Sequence, residues 1–376
     1  MKNSMLKIAG VLIISAAILL VSVGCGEEDR YDKYSGTSTS SGESGNINSP
    51  NFDNQEENSP TQDETSQEAV GETINPLTGK PCTSEVASAR PVVFMLNNLK
   101  EALPQVGISE AAVVYEVLAE GGITRLVAVY NDYKDIKEIG SVRSARDYCI
   151  DLADAHDAIF AHAGQSESAK KVIISRGTNN INGDYMYRSK ERLKTMSYEH
   201  TLMMSGKNLV EAIKAKGYRS TTDKKQPLSF YESEITPKGS KASYVEIPFT
   251  MAKKDNPYAV SFFNFDENTG VYKKGQYGMD HIDGDDGKAL SFKNVIILEC
   301  AHSSTGDAEG HINVNFTGTG KGKYITMGKC QDIVWKKTSR TSSYTLYESD
   351  GKTPLKLNPG KSYIGIVPTG SNITIE

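Results

Sequence analysis

The sequence predicts an α/β (or α+β) N-terminal domain, a mixed sheet with crossover helices, followed by a smaller all-β C-terminal domain. Three observations predict it. Between residues 91 and 217, apolar runs of strand length alternate with segments of helical period, an order that implies a sheet with crossover helices. Beyond about residue 240 the helical period vanishes, and short strands follow one another with turns every ~10 residues, the signature of an all-β domain. Before residue 73 the composition is not that of a packed domain.

The chain opens with a basic stretch holding Lys2 and Lys7, then the 16-residue apolar run IAGVLIISAAILLVSV, then Gly24-Cys25. A basic n-region, an apolar h-region and a small residue before a cut site make a secretory signal. The run is short for a membrane span of ~20 residues. Cys25 directly after Gly24 predicts a lipoprotein signal peptide over 1–24, with diacylglycerol carried by the Cys25 thiol. Residues 26–70 hold eleven Asp/Glu against two Lys/Arg and few aliphatics. Such a segment cannot bury enough apolar surface to offset its ordering entropy, so 25–72 reads as an acidic, Ser-rich disordered tether. Its typical reach is about 35–40 Å at ~5–6 Å × √n.

The whole chain carries a net charge of −5, and the acidity belongs to the tether. The remainder is close to neutral, without the basic excess of a nucleic-acid-binding protein. The expected partners are therefore the membrane, through the lipid, an anionic envelope ligand and a protein partner, with no nucleic acid.

In the N-terminal domain, 73–238, PVVFMLNN (91–98) reads as a buried strand. AAVVYEVLA and ITRLVAVYN flank Gly121-Gly122, and two β-rich runs about Gly-Gly predict a hairpin. IKEIGSV is a short strand. ARDYCIDLADAH is helical, with Tyr148, Cys149, Leu152, Ala153 and His156 at three- and four-residue spacing. DAIFAHAG is a strand, SESAKKVIISRG a helix closed near Gly177, and GKNLVEAIKAKGY a helix closed by Gly217. In the C-terminal domain, 239–376, strands are predicted at SYVEIPF, YAVSFFNF, VYKK, NVIILECA, HINVNF, KYITM, IVWKK, SYTLYE and SYIGIVP. Cys82, Cys149, Cys300 and Cys330 show no C-x-x-C spacing and read as small buried hydrophobes, the alternative being disulfides in any of three connectivities.

The candidate site starts from IGSVRSARD (139–147), which places Arg143 and Arg146 where a strand gives way to a helix. Cations are disfavoured at a helix N-terminus. Ser144 and Asp147 resemble a capping box, which puts Ser144 at the N-cap. Free N–H groups, a positive dipole end and two guanidiniums then form an anion site, phosphate above all. The alternative is that Arg143 pairs with a local carboxylate. A two-residue Gly-Gly turn would set Arg125 diagonally across from Glu116, either as an ion pair or as an addition to the site. His162 closes a strand, where ligands of α/β sheets bind. Arg188 belongs to the basic, aromatic stretch YMYRSKERLKTMSYEHT that could fold over an anion. Asp151, with Glu116 and His162, is a candidate acid–base group.

No G-x-S-x-G, P-loop, H-E-x-x-H or G-x-G-x-x-G is present, and no cofactor is expected. The histidines show no metal spacing. DHIDGDDG (280–287) looks like a calcium loop, but its twelfth position is Ser291, which cannot supply the bidentate carboxylate. The run reads as a hairpin turn, and no metal is expected.

Six segments together resemble the YerB-like lipoproteins of Gram-positive bacteria: INPLTGKP (74–81), RPVVFMLNN (90–98), ALPQVGISEAAVVYEVLAEGGITRLVAVY (102–130), IGSVRSARDY (139–148), DAIFAHAGQSESA (157–169) and LNPGKSYIGIVP (357–368). The resemblance covers about residues 74–372. It implies membrane anchoring and two domains of unknown function; with the leader, which puts the rest of the chain outside the cytoplasm, the expected location is the outer face of the cytoplasmic membrane. That family usually carries Asp where this chain has Asn97-Asn98, and Pro-His-Asn-Leu where this chain has Glu199-His200-Thr201-Leu202. The order of strand pair, arginine-rich turn and helix is also similar, at the level of architecture alone, to LytR-type cell-wall ligases, which hold a polyprenyl phosphate with arginines.

The functional expectation is a membrane-anchored lipoprotein binding an anionic, phosphorylated cell-envelope ligand through Arg125, Arg143 and Arg146, with His162 and Arg188 at the rim. The alternatives are a transferase or hydrolase acting on a phosphorylated envelope precursor, with Glu116, Asp151 or His162 as acid–base group, and a purely structural protein-partner lipoprotein.

Overall fold

The computed structural model describes residues 73–249 and 260–376; the leader, Cys25 and the tether lie outside the described residues. The N-terminal half contributes β1 (Val92–Asn97), β2 (Val113–Leu118), β3 (Thr124–Tyr130), α1 (Asp147–Ala155), β4 (Ile159–His162), α2 (Glu167–Arg176), β5 (Asn180–Asn182) and α3 (Gly206–Ala215). The C-terminal half contributes β6 (Tyr244–Pro248), β7 (Val260–Asp266), β8 (Val271–Gln276), β9 (Asn294–Ser304), β10 (Gly318–Thr326), β11 (Lys329–Lys337) and β12 (Ser362–Pro368). Beyond Ser240 the described residues form strands and turns without a helix.

The two halves share one mixed sheet. Its central order is β11-β10-β9-β12-β2-β3-β1-β4-β5. β12, from the C-terminal half, lies parallel to β2 on one side and parallel to β9 on the other, with Ile364 beside both Tyr115 and Ile296. The sheet interior is covered on both faces, which is why β1 and β2 read as continuous apolar runs rather than alternating ones. Val92, Phe94 and Leu96 pack on one side with Val245, Ile247 and Phe263 of the second, six-stranded sheet. Val93 and Met95 pack on the other side with Tyr148, Cys149, Leu152 and Ala153 of α1.

Local chemistry sets the helix ends. At α2, Ser166 accepts from the Ala169 N–H at 3.2 Å, and Gly177 closes the helix at φ 61°, a conformation glycine adopts without steric cost. α1 starts differently from the capping-box expectation. It begins at Asp147 with Arg146 at the cap position and no side-chain cap. The backbone of 143–145 is committed elsewhere: Arg143 N donates to Met95 O, and Ala145 N to Gly164 O, each at 2.9 Å. That extended segment stitches the ends of β1 and β4 together, so Ser144 is not the cap.

The described cysteines Cys82, Cys149, Cys300 and Cys330 are all free, and the last three are buried. The 280–287 run is a turn, closed by an Ile282–Ala289 bridge. Its Asp283 carboxylate accepts from the backbone of Gly107, Ser109 and Asp285 at 3.0, 2.7 and 2.9 Å. The turn therefore docks on the N-terminal half through the Asp283 side chain.

Candidate functional site

β1, β2, β4, β5 and β12 run in one direction, with β3 antiparallel among them. Their carboxyl ends gather Asn97, Leu118, His162 and Asn182 along one edge, beside the start of β3 at Thr124 and Arg125. In open α/β sheets this edge is where ligands bind.

The β2–β3 connection shapes the edge. Five residues, Ala119–Ile123, join the strands, with Gly121 and Gly122 at φ 69° and 74°. This corrects the expected two-residue turn. The register pairs Val117 with Arg125 and Glu116 with Leu126. Residues directly opposite one another share a face, so Arg125 and Glu116 point to opposite sides of the sheet, and the diagonal pair does not form.

Arg125 instead meets Glu120, within the turn itself. Its Nη2 donates to Glu120 Oε1 at 2.6 Å, and its Nη1 donates to the Ser144 carbonyl. Arg146 takes the same carboxylate, with Nε on Oε2 at 2.9 Å and Nη2 on Oε1, and it also donates to the Ala145 carbonyl. Burial would raise the Glu120 carboxyl, but the Arg146 hydrogen bond and the charges of both arginines outweigh it and hold the group at about 2. Burial pushes the Arg125 guanidinium down, as does Arg146 beside it, and Glu120 opposes the shift. Two desolvated cations thus share one anion.

Arg143 lies three residues before Arg146 and donates to Glu199 Oε2 at 2.9 Å. The hydrogen bond from Arg143 leads the causes that hold the Glu199 carboxyl low. Glu199 also lies 3.7 Å from His200 Nε2, and the other ring nitrogen of His200 accepts from Asn97 Nδ2 at 2.9 Å. Arg188 stacks on Tyr198, 3.8 Å above the ring, and donates to the Tyr198 carbonyl at 2.6 Å. Arg143 and Arg188 therefore flank the same Tyr198–His200 turn.

The remaining candidates sit apart. His162 is buried, with Nδ1 on the Gly164 carbonyl at 2.9 Å and Nε2 near Asn180 Oδ1 at 3.2 Å. Its pKa is lowered by burial, against those hydrogen bonds. Asp151 accepts from Arg176 at 2.9 Å and from Arg340 at 2.8 Å, tying α1 to the C-terminal half. Glu116 is fully buried and accepts from Thr124 at 2.7 Å and from Ser261 and Tyr363 at 2.9 Å.

Sequence reasoning missed Glu120 and Lys274. Lys274 lies 3.3 Å from Glu116, neither side chain being exposed. A signal for Lys274 existed: period-two alternation from Tyr272 puts it on the buried face. Asp307, Glu309 and His311 each bring a potential ligand atom within 4.8 Å of the others on a turn. There Asp307 and His311 already bond to each other at 2.8 Å.

Residues 77–219 match the family model described as the N-terminal domain of a protein of unknown function, DUF3048, and residues 249–364 match its C-terminal domain. A protein of Bacillus subtilis (strain 168) described as "Putative lipoprotein YerB" is 31% identical over 294 residues, 78% of this chain and 86% of its own length. The crystal structure of YerB from Bacillus subtilis superposes with a TM-score of 0.70 at 28% identity, covering 80% of this chain and 99% of that one. The shared sheet, the edge it presents and these matches along both halves place the chain in the DUF3048 family, alongside YerB.

Proposed function

We propose that this chain is a lipoprotein held at the outer face of the cytoplasmic membrane, and that it binds an anionic, phosphorylated envelope ligand at the carboxyl edge of its sheet. In this reading residues 1–24 are the leader, Cys25 carries the lipid and 25–72 form the tether. The domains at 73–238 and 239–376 make up the folded part. Arg125, Arg143 and Arg146 hold the ligand, with Arg188 at the rim.

One observation carries the reading. Arg125 and Arg146, both largely buried, share the single carboxylate of Glu120. Among the described residues that sets two guanidiniums against one carboxylate at an edge suited to ligands. Arginine presents a planar fork of donors that matches phosphate oxygens. The description of YerB as a lipoprotein supports the membrane anchor.

The test is the melting temperature of the purified protein with inorganic phosphate, phosphorylated lipid headgroups and anionic wall polymers, beside an Arg143→Ala/Arg146→Ala variant. A ligand at ~100 Kd adds about 2.7 kcal/mol of stability. A shift in the parent protein that is lost in a folded variant supports the reading. No shift with any anion overturns it.

A further inference from the structure

On the face of the sheet opposite the arginines, the two halves enclose a cluster of buried polar side chains. Glu116 and Lys274 are both fully buried there, Oε2 to Nζ at 3.3 Å. Asn98, just beyond β1 and also buried, donates from Nδ2 to Glu116 Oε1 at 3.2 Å. The same Nδ2 donates to Gln276 Oε1 at 2.9 Å, and Lys274 Nζ donates to that oxygen at 3.1 Å. The lysine amine and the Asn98 amide nitrogen are thus within hydrogen-bond reach of the same carboxylate and the same carboxamide oxygen. Asn98 Oδ1 accepts from Gln105 Nε2 at 3.3 Å. The Tyr363 ring stands 6.0 Å from Nζ.

These are the parts of a transamidation: an amine, a carboxamide and one carboxylate that touches both the attacking and the departing nitrogen. Burial lowers the Lys274 pKa, against the pull of Glu116. A desolvated lysine is activated as a nucleophile in this way. Proton transfer within the Glu116–Lys274 pair turns two buried charges into a neutral acid and a neutral amine, without changing the net charge of the cluster.

We propose that Lys274 and Asn98 condense into an intramolecular isopeptide bond, with Glu116 carrying the protons. Nζ gives one proton to Glu116 Oε2, and its freed lone pair attacks Asn98 Cγ. The carbonyl electron pair moves onto Oδ1, where the Gln105 Nε2 donor meets the developing charge. Glu116 passes the first proton to Nδ2 and takes a second from Nζ. The Cγ–Nδ2 bond breaks, ammonia leaves, and the Nζ–Cγ amide remains beside a protonated Glu116. No oxidant or co-reactant is needed. The bond ties the end of β1 in one half to β8 in the other. The four described cysteines, being free, supply no covalent tie between those elements. The inference does not depend on the anion-binding reading.

The test is peptide mapping of the purified full chain by mass spectrometry, with Glu116→Gln and Lys274→Arg alongside. The expected digest contains one branched peptide joining the segments that carry Asn98 and Lys274, lighter than their sum by one ammonia. Neither variant yields it, while circular dichroism shows both still folded. Recovery of the two segments as separate, unmodified peptides from the parent protein overturns the proposal. So does a branch from Lys274 to Gln276, or a branch that persists in Glu116→Gln. Should a variant fail to fold, the digest of the parent protein decides alone.

Discussion

Arg125 reaches back over the Gly121-Gly122 turn to Glu120, Nη2 to Oε1 at 2.6 Å. Because Arg146 binds the same carboxylate, this contact governs both cations. Glu120→Gln leaves two desolvated guanidiniums facing a neutral amide. The expected loss is roughly 3 kcal/mol, the low end for breaking a buried pair, because Glu120 keeps 22% of its side chain exposed. Denaturant unfolding measures it. Inorganic phosphate is expected to recover more stability in the variant than in the parent protein, since it can take the place of the missing carboxylate.

The same carboxylate predicts an acid limb. Its folded-state value lies at about 2 against an ordinary 4.5. The unfolded chain therefore binds the proton first, and the Glu120 contribution, complete above about 4.5, drains away as pH falls toward about 2. Melting temperatures across that window are expected to fall more steeply for the parent protein than for Glu120→Gln. Parallel curves would remove Glu120 from the account.

His156 predicts a second limb at milder pH. It is fully buried, with Nε2 accepting from Tyr115 OH at 2.7 Å and Nδ1 donating to Gln226 Oε1 at 2.8 Å. Burial pulls its pKa down to about 4 from 6.5, against the Gln226 hydrogen bond. Its contribution is complete above 6.5 and is lost as pH falls toward about 4, with a slope of up to about 1.4 kcal/mol per pH unit. The imidazole C2–H resonance of the folded protein is expected to titrate near the lower value. Titration near 6.5 would show an accessible ring.

Ile364→Ala tests the shared sheet. Ile364 is fully buried in β12, and removing its side chain should cost about 2–5 kcal/mol. The chain has one tryptophan, Trp335 in β11, which reports on the C-terminal half. Its fluorescence and far-ultraviolet circular dichroism are expected to shift together, in one transition at a lower midpoint. Separate transitions would mean that the halves melt independently.

The strands and helices were largely legible because apolar period and glycine punctuation are local signals. The 92–97 strand, the helix capped by Ser166 and the all-β second half fall where the sequence puts them. The pairing of 362–368 with 113–118 was not legible, since a parallel contact across some 250 residues leaves no mark on either segment. Two site expectations failed for local reasons. Gly-Gly fixes a turn but not its length, so the register of Arg125 was off by a face. A capping-box spacing at Ser144 could not reveal that the backbone there was already bonded to β1 and β4. Glu120 was missed because an acid in a turn is ordinarily solvated. Only the fold brings Arg146 onto it.

The position of β12 bears on how a chain proposed to be exported would cross a membrane. The strand that bridges the halves is made after nearly all the others, so the centre of the sheet stays open until synthesis has passed residue 362. Before then, β2 and β9 each lack the neighbour that unites them. A precursor with its keystone still missing stays threadable. For a chain proposed to be exported, this delays closure of the fold until translocation is nearly over.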